Sequence, residues 1–239
     1  MTDAAPRSGD QDLWVFGYGS LMWKPGFRFE EVRRATLTGY RRCFCIYSTH
    51  HRGTADRPGL VLGLDRGGTC HGLAFRVSAE RRLATLAYLA EREQINGVYR
   101  DVLASVTLEG EPRLDVFALA HIVERCHPSY AGRLSLAEQA CLIRGARGIS
   151  GPNLDYLINT NMHLKDLGIQ EAELNRLLTL IGPQFARCVC GDQGRHSSAA
   201  LIKACRHLPV DAPRLKVLER RRFVYRRQIS AWAARSRSL

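Results

Sequence analysis

The chain is predicted to fold as an α+β domain, and three observations carry that expectation. Apolar, β-preferring runs dominate its first half, apolar residues at helical spacing dominate its second, and the two do not alternate as βαβ units would. Leu13 to Phe16 reads as a buried strand that stops at Gly17. Leu37 to Ser48, with Tyr40, Phe44, Ile46 and Tyr47, reads as a second strand, and the Gly-, Pro- and Asp-bearing stretch 49–59 as a loop. Leu60 to Leu64 and His71 to Val77 read as two further strands joined by a Gly67-Gly68 turn. From Ala79 to Arg92 the period changes, with Leu83, Leu86, Ala87 and Ala90 at helical spacing, until Asn96-Gly97 breaks the helix. Val102 to Leu108 and Leu114 to Ile122 read as a strand pair around a turn at 109–112. Beyond them Ser135-Leu-Ala-Glu138 has the form of a capping box, and Pro152 and Gly168 stand where a helix start and stop belong. A last helix runs from about Gln170 to Ile181 and stops at Gly182-Pro183.

Composition narrows the class. Apolar residues make up 45% of 239, enough for a packed core. No segment approaches the roughly eighteen consecutive apolar residues of a membrane span, so no membrane partner is expected. Residues 1–12 lack a basic start and an apolar run and read as a flexible leader rather than a secretory signal. The formal charge of +12 is uneven: from Pro183 onward thirteen Lys and Arg face three Asp and Glu, while residues 1–182 carry 22 basic and 20 acidic side chains. Three segments are therefore expected: the leader, a domain over 13–182, and a basic extension over 183–239. The eight cysteines (Cys43, Cys45, Cys70, Cys126, Cys141, Cys188, Cys190, Cys205) in a chain without an export signal read as reduced thiols of a cytoplasmic protein.

The most distinctive stretch is Val15-Phe-Gly-Tyr-Gly-Ser-Leu-Met-Trp23. Two glycines flanking a tyrosine after a strand allow a tight turn with backbone N–H groups aimed at a carboxylate, a phosphate or a developing oxyanion. A dinucleotide fingerprint requires glycine where Met22 stands. A nucleophile elbow requires glycines where Tyr18 and Met22 flank Ser20. Neither reading survives.

Four segments together resemble the ChaC family of γ-glutamylcyclotransferases, in family order. Phe16-Gly-Tyr-Gly-Ser-Leu-Met-Trp23 is similar to its substrate loop. Ser48-Thr-His-His-Arg-Gly53 followed by Arg57-Pro58-Gly59 is similar to its Ser-Thr-x-His-Arg-Gly…Pro-Gly stretch. Arg92-Glu93-Gln-Ile-Asn-Gly97-Val-Tyr99 resembles its Arg-Glu…Gly…Tyr signature, and Gly151-Pro152-Asn-Leu-Asp-Tyr156-Leu157 its Gly…(Glu/Asp)-Tyr-Leu segment. The resemblance covers roughly residues 13–182 and leaves the basic extension unmatched.

The resemblance implies a small mixed β-barrel with flanking helices. It implies an enzyme that cleaves glutathione to 5-oxoproline and cysteinylglycine, with no metal, cofactor or covalent intermediate. Glu93 is the implied general base, and Val15, Phe16, Gly17, Tyr18, Gly19, Ser20 and Leu21 the implied substrate loop. In that loop the backbone N–H groups of Tyr18 to Leu21 would serve the oxyanion or the substrate carboxylate. Tyr156 is an implied contact of the γ-glutamyl group. Tyr99 is either such a contact or a buried tyrosine with a satisfied hydroxyl. Arg52 either shapes its loop or faces the substrate carboxylate. Two other functions stay in view: turnover of other γ-glutamyl peptides or amines, and a binding module that has lost turnover.

Two signals are set aside. Cys188-x-Cys190 with His196, Cys205 and His207 lacks the C-x₂-C spacing of a zinc site, so no metal is expected. The arginines at 220–222 and 226–227, with Phe223 and Tyr225 between them, permit nucleic-acid or anionic-lipid binding, but a solvated or loosely docked extension is the preferred reading.

Overall fold

A computed structural model describes residues 11–93 and 97–181, with Glu93 described by its backbone. Residues 1–10 of the leader, residues 94–96 and everything from 182 onward, including the Cys188–His207 candidate and the arginine-rich stretch, lie outside the described residues.

Five strands close into a barrel in the order β1-β3-β2-β4-β5. They are β1 (Leu13–Gly17), β2 (Glu31–Ser48), β3 (Gly59–Val77), β4 (Tyr99–Leu108) and β5 (Leu114–Val123). Neighbours are antiparallel except where β5 meets β1, at Trp14 opposite Ala118 and Val15 opposite Leu119. That single parallel seam makes the barrel mixed, as expected. Closure also leaves no open sheet edge at β1 and β5.

The predicted turn after Leu64 does not form. Gly67-Gly68 does not turn the chain back: β3 runs unbroken from Gly59 to Val77 along β2, which itself begins at Glu31 rather than Leu37. The glycines bend the strand instead. Gly67 and Gly68 have φ of 96° and 78°, Gly39 has φ of 89°, and the β2–β3 register shifts beside them, between Thr38 and Tyr40. Positive φ on both strands at one level lets two very long strands curve together around the barrel.

Helix α1 (Arg82–Glu93) is also rotated from its predicted face. Leu83 is 78% exposed, while Thr85, Leu86 and Leu89 are buried. The helix starts after a 3-10 turn at Ala79–Arg81, and Leu86 and Leu89 pack on Leu13, Val15, Val77 and Leu119. Helices α2 (Leu136–Gly145), α3 (Asn153–Asp166) and α4 (Ala172–Ile181) add Ile143, Leu157, Leu164, Leu174 and Leu177 to the main core around Phe16, Phe44 and Phe75. The Ser135 capping box forms in full at α2. Gly168 follows α3 with φ of 68°, the left-handed stop that glycine favours. Pro152 stands at the N-cap of α3 rather than in its first turn, at the end of a small hairpin of β6 (Arg147–Gly148) with β7 (Gly151–Pro152). No described helix is long and apolar enough to cross a membrane.

Two buried polar clamps lock the layers. Asn153 is fully buried; its Oδ1 accepts from Leu60 N at 2.6 Å and its Nδ2 donates to Leu60 O at 2.8 Å, fixing the start of α3 on β3. Asp65 accepts from Arg125 Nε at 2.7 Å and Tyr130 Oη at 3.1 Å, with Arg41 Nη2 at 3.6 Å, tying the chain after β5 to β2 and β3. Burial pushes the Asp65 carboxyl up, but hydrogen bonds from Arg125, the Arg66 backbone and Tyr130 outweigh it and hold the carboxyl below its ordinary value. A depressed folded pKa contributes stability above the unfolded value, about 3.9, and loses it as pH falls through the folded value. Asp65→Asn is therefore expected to lower stability by about 1–3 kcal/mol at neutral pH. The gap to the native chain should close progressively below about pH 4, as measured by urea unfolding across pH.

Candidate functional site

The glycine loop leaves the barrel at the end of β1. Val15 and Phe16 are fully buried, and Gly17 has no room to spare: a Cβ there would lie 3.2 Å from both Leu21 Cβ and a Phe75 ring carbon. Gly19 is different, since the nearest atom to its virtual Cβ is Leu62 Cδ1 at 3.9 Å. The chain then tightens into a 3-10 turn at Ser20–Met22, where Met22 N donates to Gly19 O at 2.9 Å and Lys24 N to Ser20 O at 2.8 Å. Tyr18, Leu21 and Met22 are buried.

Two arginines hold this loop. Arg42, on β2, has a side chain with no exposed surface. Its Nε donates to Tyr18 O at 2.5 Å, its Nη2 to His71 O at 2.6 Å, and its Nη1 pairs with the Glu171 carboxylate. Arg92, near the end of α1, donates from Nη2 to Ser20 Oγ at 2.8 Å and from Nη1 to Lys24 O at 2.7 Å. Ser20 Oγ is thus the acceptor of an arginine hydrogen bond. Glu93 is the residue after Arg92 and the last of α1, so the helix end that docks on the loop also carries the predicted base.

A second predicted pair comes together beyond Phe44. The Tyr156 ring, in the first turns of α3, meets Phe44 edge-on at 5.9 Å, and the Arg52 guanidinium carbon lies 5.3 Å from the Tyr156 ring centroid. Arg52 Nη1 also donates to Ser150 O at 2.6 Å and Pro152 O at 3.2 Å, bridging the 49–58 loop to the turn before α3. That loop needs its glycines: a Cβ on Gly53 would stand 2.2 Å from Gly59 N, and one on Gly59 2.2 Å from Arg52 O. Trp23, just past the glycine loop, stacks on His163 of α3 at 4.6 Å and 13°. Trp23 and Tyr156 therefore pack against the same buried cluster that contains Phe16, Tyr18, Phe44 and Leu62. Tyr99 lies elsewhere, packed with Cys43, Cys45, Ile46, Val98 and Val123, and its hydroxyl donates to Leu62 O at 2.9 Å. It meets the strand that backs the loop.

Arg42, Glu171, Asn153 and the Trp23–His163 stack were not singled out from the sequence. Arg42 left one signal, a charge directly before the apolar run Cys43–Tyr47. Its neighbour Arg41 leaves the same signal, and only the register separates them. Among the described residues, no three His, Cys, Asp or Glu side chains are grouped to hold a metal.

A family model described as "ChaC-like protein" matches residues 13–184. The chain is similar to the glutathione-specific gamma-glutamylcyclotransferase of Escherichia coli, at 37% identity over 177 residues, covering 74% of this chain and 76% of that one. It is 35% identical to glutathione-specific gamma-glutamylcyclotransferase 1 of mouse over 188 residues, covering 76% and 84%. Among solved structures, a glutathione-specific γ-glutamyl cyclotransferase from yeast superposes with a TM-score of 0.65 at 23% identity, covering 71% of this chain and 95% of that one, a likeness of fold.

Replacing Arg42 by Met would leave the Tyr18 and His71 carbonyls and the Glu171 carboxylate without their partner. Arg42→Met is expected to cost about 3–5 kcal/mol. Arg92→Met, at a half-exposed position, should cost about 1 kcal/mol. Equal losses in urea unfolding would show that the buried guanidinium is not the principal anchor.

Proposed function

The chain belongs to the ChaC-like family, and from that premise we propose that it is a γ-glutamylcyclotransferase that cleaves glutathione to 5-oxoproline and cysteinylglycine. The observation that carries the mechanism is the Arg92 bridge: it fastens the end of α1, and with it Glu93, to the Gly17–Leu21 loop.

The reaction asks little of the protein. The substrate's own α-amine attacks its own γ-carbonyl and closes a five-membered ring. Well-oriented intramolecular reactions reach effective molarities of about 10⁵–10⁸ M, so holding the γ-glutamyl group curled supplies much of the acceleration. Only the free amine attacks, so a base must take a proton from the ammonium. Glu93 has that role and returns the proton to the departing cysteinyl amine. Backbone N–H groups from Tyr18 to Leu21 stabilise the oxyanion on the γ-carbon. Arg42 on the Tyr18 carbonyl and Arg92 on the Ser20 hydroxyl hold those donors in place before substrate arrives. Tyr156 forms a wall against the γ-glutamyl group. Arg52, engaged with the Ser150 and Pro152 carbonyls, positions Tyr156 and its own loop. Tyr99 supports the strand at Leu62.

Residues 13–182 form the catalytic domain in this reading, with the basic extension dispensable. A reducing, cytoplasmic setting agrees with the described cysteines, all free thiols: Cys43, Cys45 and Cys70 buried, Cys126 and Cys141 exposed.

Incubation with glutathione and with γ-Glu-Ala, following 5-oxoproline, tests the substrate. Release from glutathione alone is expected, and preference for γ-Glu-Ala would point to a cyclotransferase of different specificity. Glu93→Gln should lower turnover by about 10²–10⁴ with an unchanged circular dichroism spectrum. Wild-type-like turnover in that variant would sink the assignment of the base. Deletion of residues 184–239 should leave turnover intact, and loss of folding would show that the extension completes the core.

A further inference from the structure

The β2–β3 register slips a second time, between Phe44 and Ile46, so that Cys45 is an extra residue without a partner on β3. In a regular strand alternate residues stand about 6.7 Å apart, just inside the outer limit for a disulfide, and a bulge bends the strand and frees one residue from its ladder. Cys43, Cys45 and Ile46 pack in one cluster, whereas Phe44 and Tyr47 face the main core. Opposite Cys43 stands Gly63, and a Cβ there would come within 2.7 Å of Cys45 Sγ. The glycine clears the space that the sulfur fills. A cavity of about 290 Å³ is lined by both cysteines together with Arg41, Arg133 and Glu173.

We propose that Cys43 and Cys45 form a dithiol site that exchanges with a small carboxylate-bearing disulfide, glutathione disulfide, and closes into a Cys43–Cys45 disulfide. The hydrogen bond from Cys45, aided by Arg41, holds the Cys43 thiol below its ordinary pKa, while the same bond and burial push Cys45 up. Cys43 is also the more exposed of the two, at 8% against 2% for Cys45, and is the attacking sulfur, with Cys45 resolving. The Cys43 thiolate attacks one sulfur of the disulfide, forms a mixed disulfide and releases one glutathione thiolate. Cys45 gives up its proton, attacks the Cys43 sulfur and displaces the second glutathione. Two protein thiols are oxidised, one disulfide is reduced to two thiols, and the two protein protons end on the two glutathione molecules. Arg41 and Arg133 suit the carboxylates of such a ligand.

Phe44 and Arg42 flank Cys43 and hold Tyr156 and Tyr18. Closing the disulfide retightens the strand between them, so oxidation is also expected to lower turnover. That last consequence rests on the proposed cyclotransferase reading; the exchange itself does not.

The test uses the full reduced chain treated with glutathione disulfide, alkylated, and digested with trypsin, which releases Cys43 to Arg52 as one peptide. This peptide is expected to be about 2 Da lighter than its reduced form and to carry no alkyl group, and dithiothreitol should reverse the change. Cys45→Ser should accumulate a glutathione adduct at Cys43, at least about tenfold more than Cys43→Ser accumulates at Cys45. Recovery of the native peptide with both cysteines alkylated, while exposed Cys126 and Cys141 carry glutathione, would overturn the proposal. So would a stable adduct at Cys43 in the native chain without closure. Both readouts are masses, so they stand whether or not the chain turns over glutathione.

Discussion

A guanidinium with no exposed surface must find a partner for its charge and its N–H groups inside the protein, and Arg42 finds them on three separate pieces of chain. Tyr18 O belongs to the glycine loop, His71 O to β3, and Glu171 to the turn before α4. Removing a partner from such a buried arrangement costs several kcal/mol, so the pieces are held together or lost together. Arg42 sits on β2 between the bend at Gly39 and the bulge at Cys45, opposite Leu64 of β3. The barrel, the helical layer and the loop therefore meet at one side chain, and the loop's backbone is shaped before any ligand binds.

That shape suits a reaction whose nucleophile travels with the substrate. No activated serine is needed, and Ser20 spends its oxygen on Arg92. What is needed is a rigid set of backbone donors and one carboxylate beside them, since preorganised dipoles stabilise developing charge without reorganising. Arg92 and Glu93 are neighbours in sequence, and anchoring the first constrains the second. The stack of Trp23 on His163 and the Arg52–Tyr156 contact tie the end of the glycine loop and the 49–58 loop to α3.

Features with local causes were legible in the sequence. The Ser135 capping box and the Gly168 stop depend on a few consecutive residues and formed as read. The glycine loop after β1 was also visible, because glycine spacing is itself the cause of the turn. Gly67-Gly68 misled for a physical reason: positive φ serves a hairpin turn or a bend equally, and the long partner strand decides between them. The stripe of α1 was misread because its phase depends on where the 3-10 turn hands over to the helix. Burial of Arg42 rather than Arg41 depends on register and on Glu171, which is 129 residues away. The pairing of Tyr156 with Arg52 likewise joins segments far apart in the chain. The family resemblance had named both residues without saying that they touch.

In the proposed reaction bond cleavage is intramolecular, with the substrate amine as nucleophile and the protein supplying a shaped loop and a base. Turnover of glutathione in heavy-oxygen water tests this most directly. If the amine attacks, the product is 5-oxoproline that carries no solvent oxygen, and no glutamate forms. Glutamate bearing heavy oxygen in its γ-carboxyl would mean that water, directly or through an acyl-enzyme, performs the cleavage, and would overturn the intramolecular mechanism.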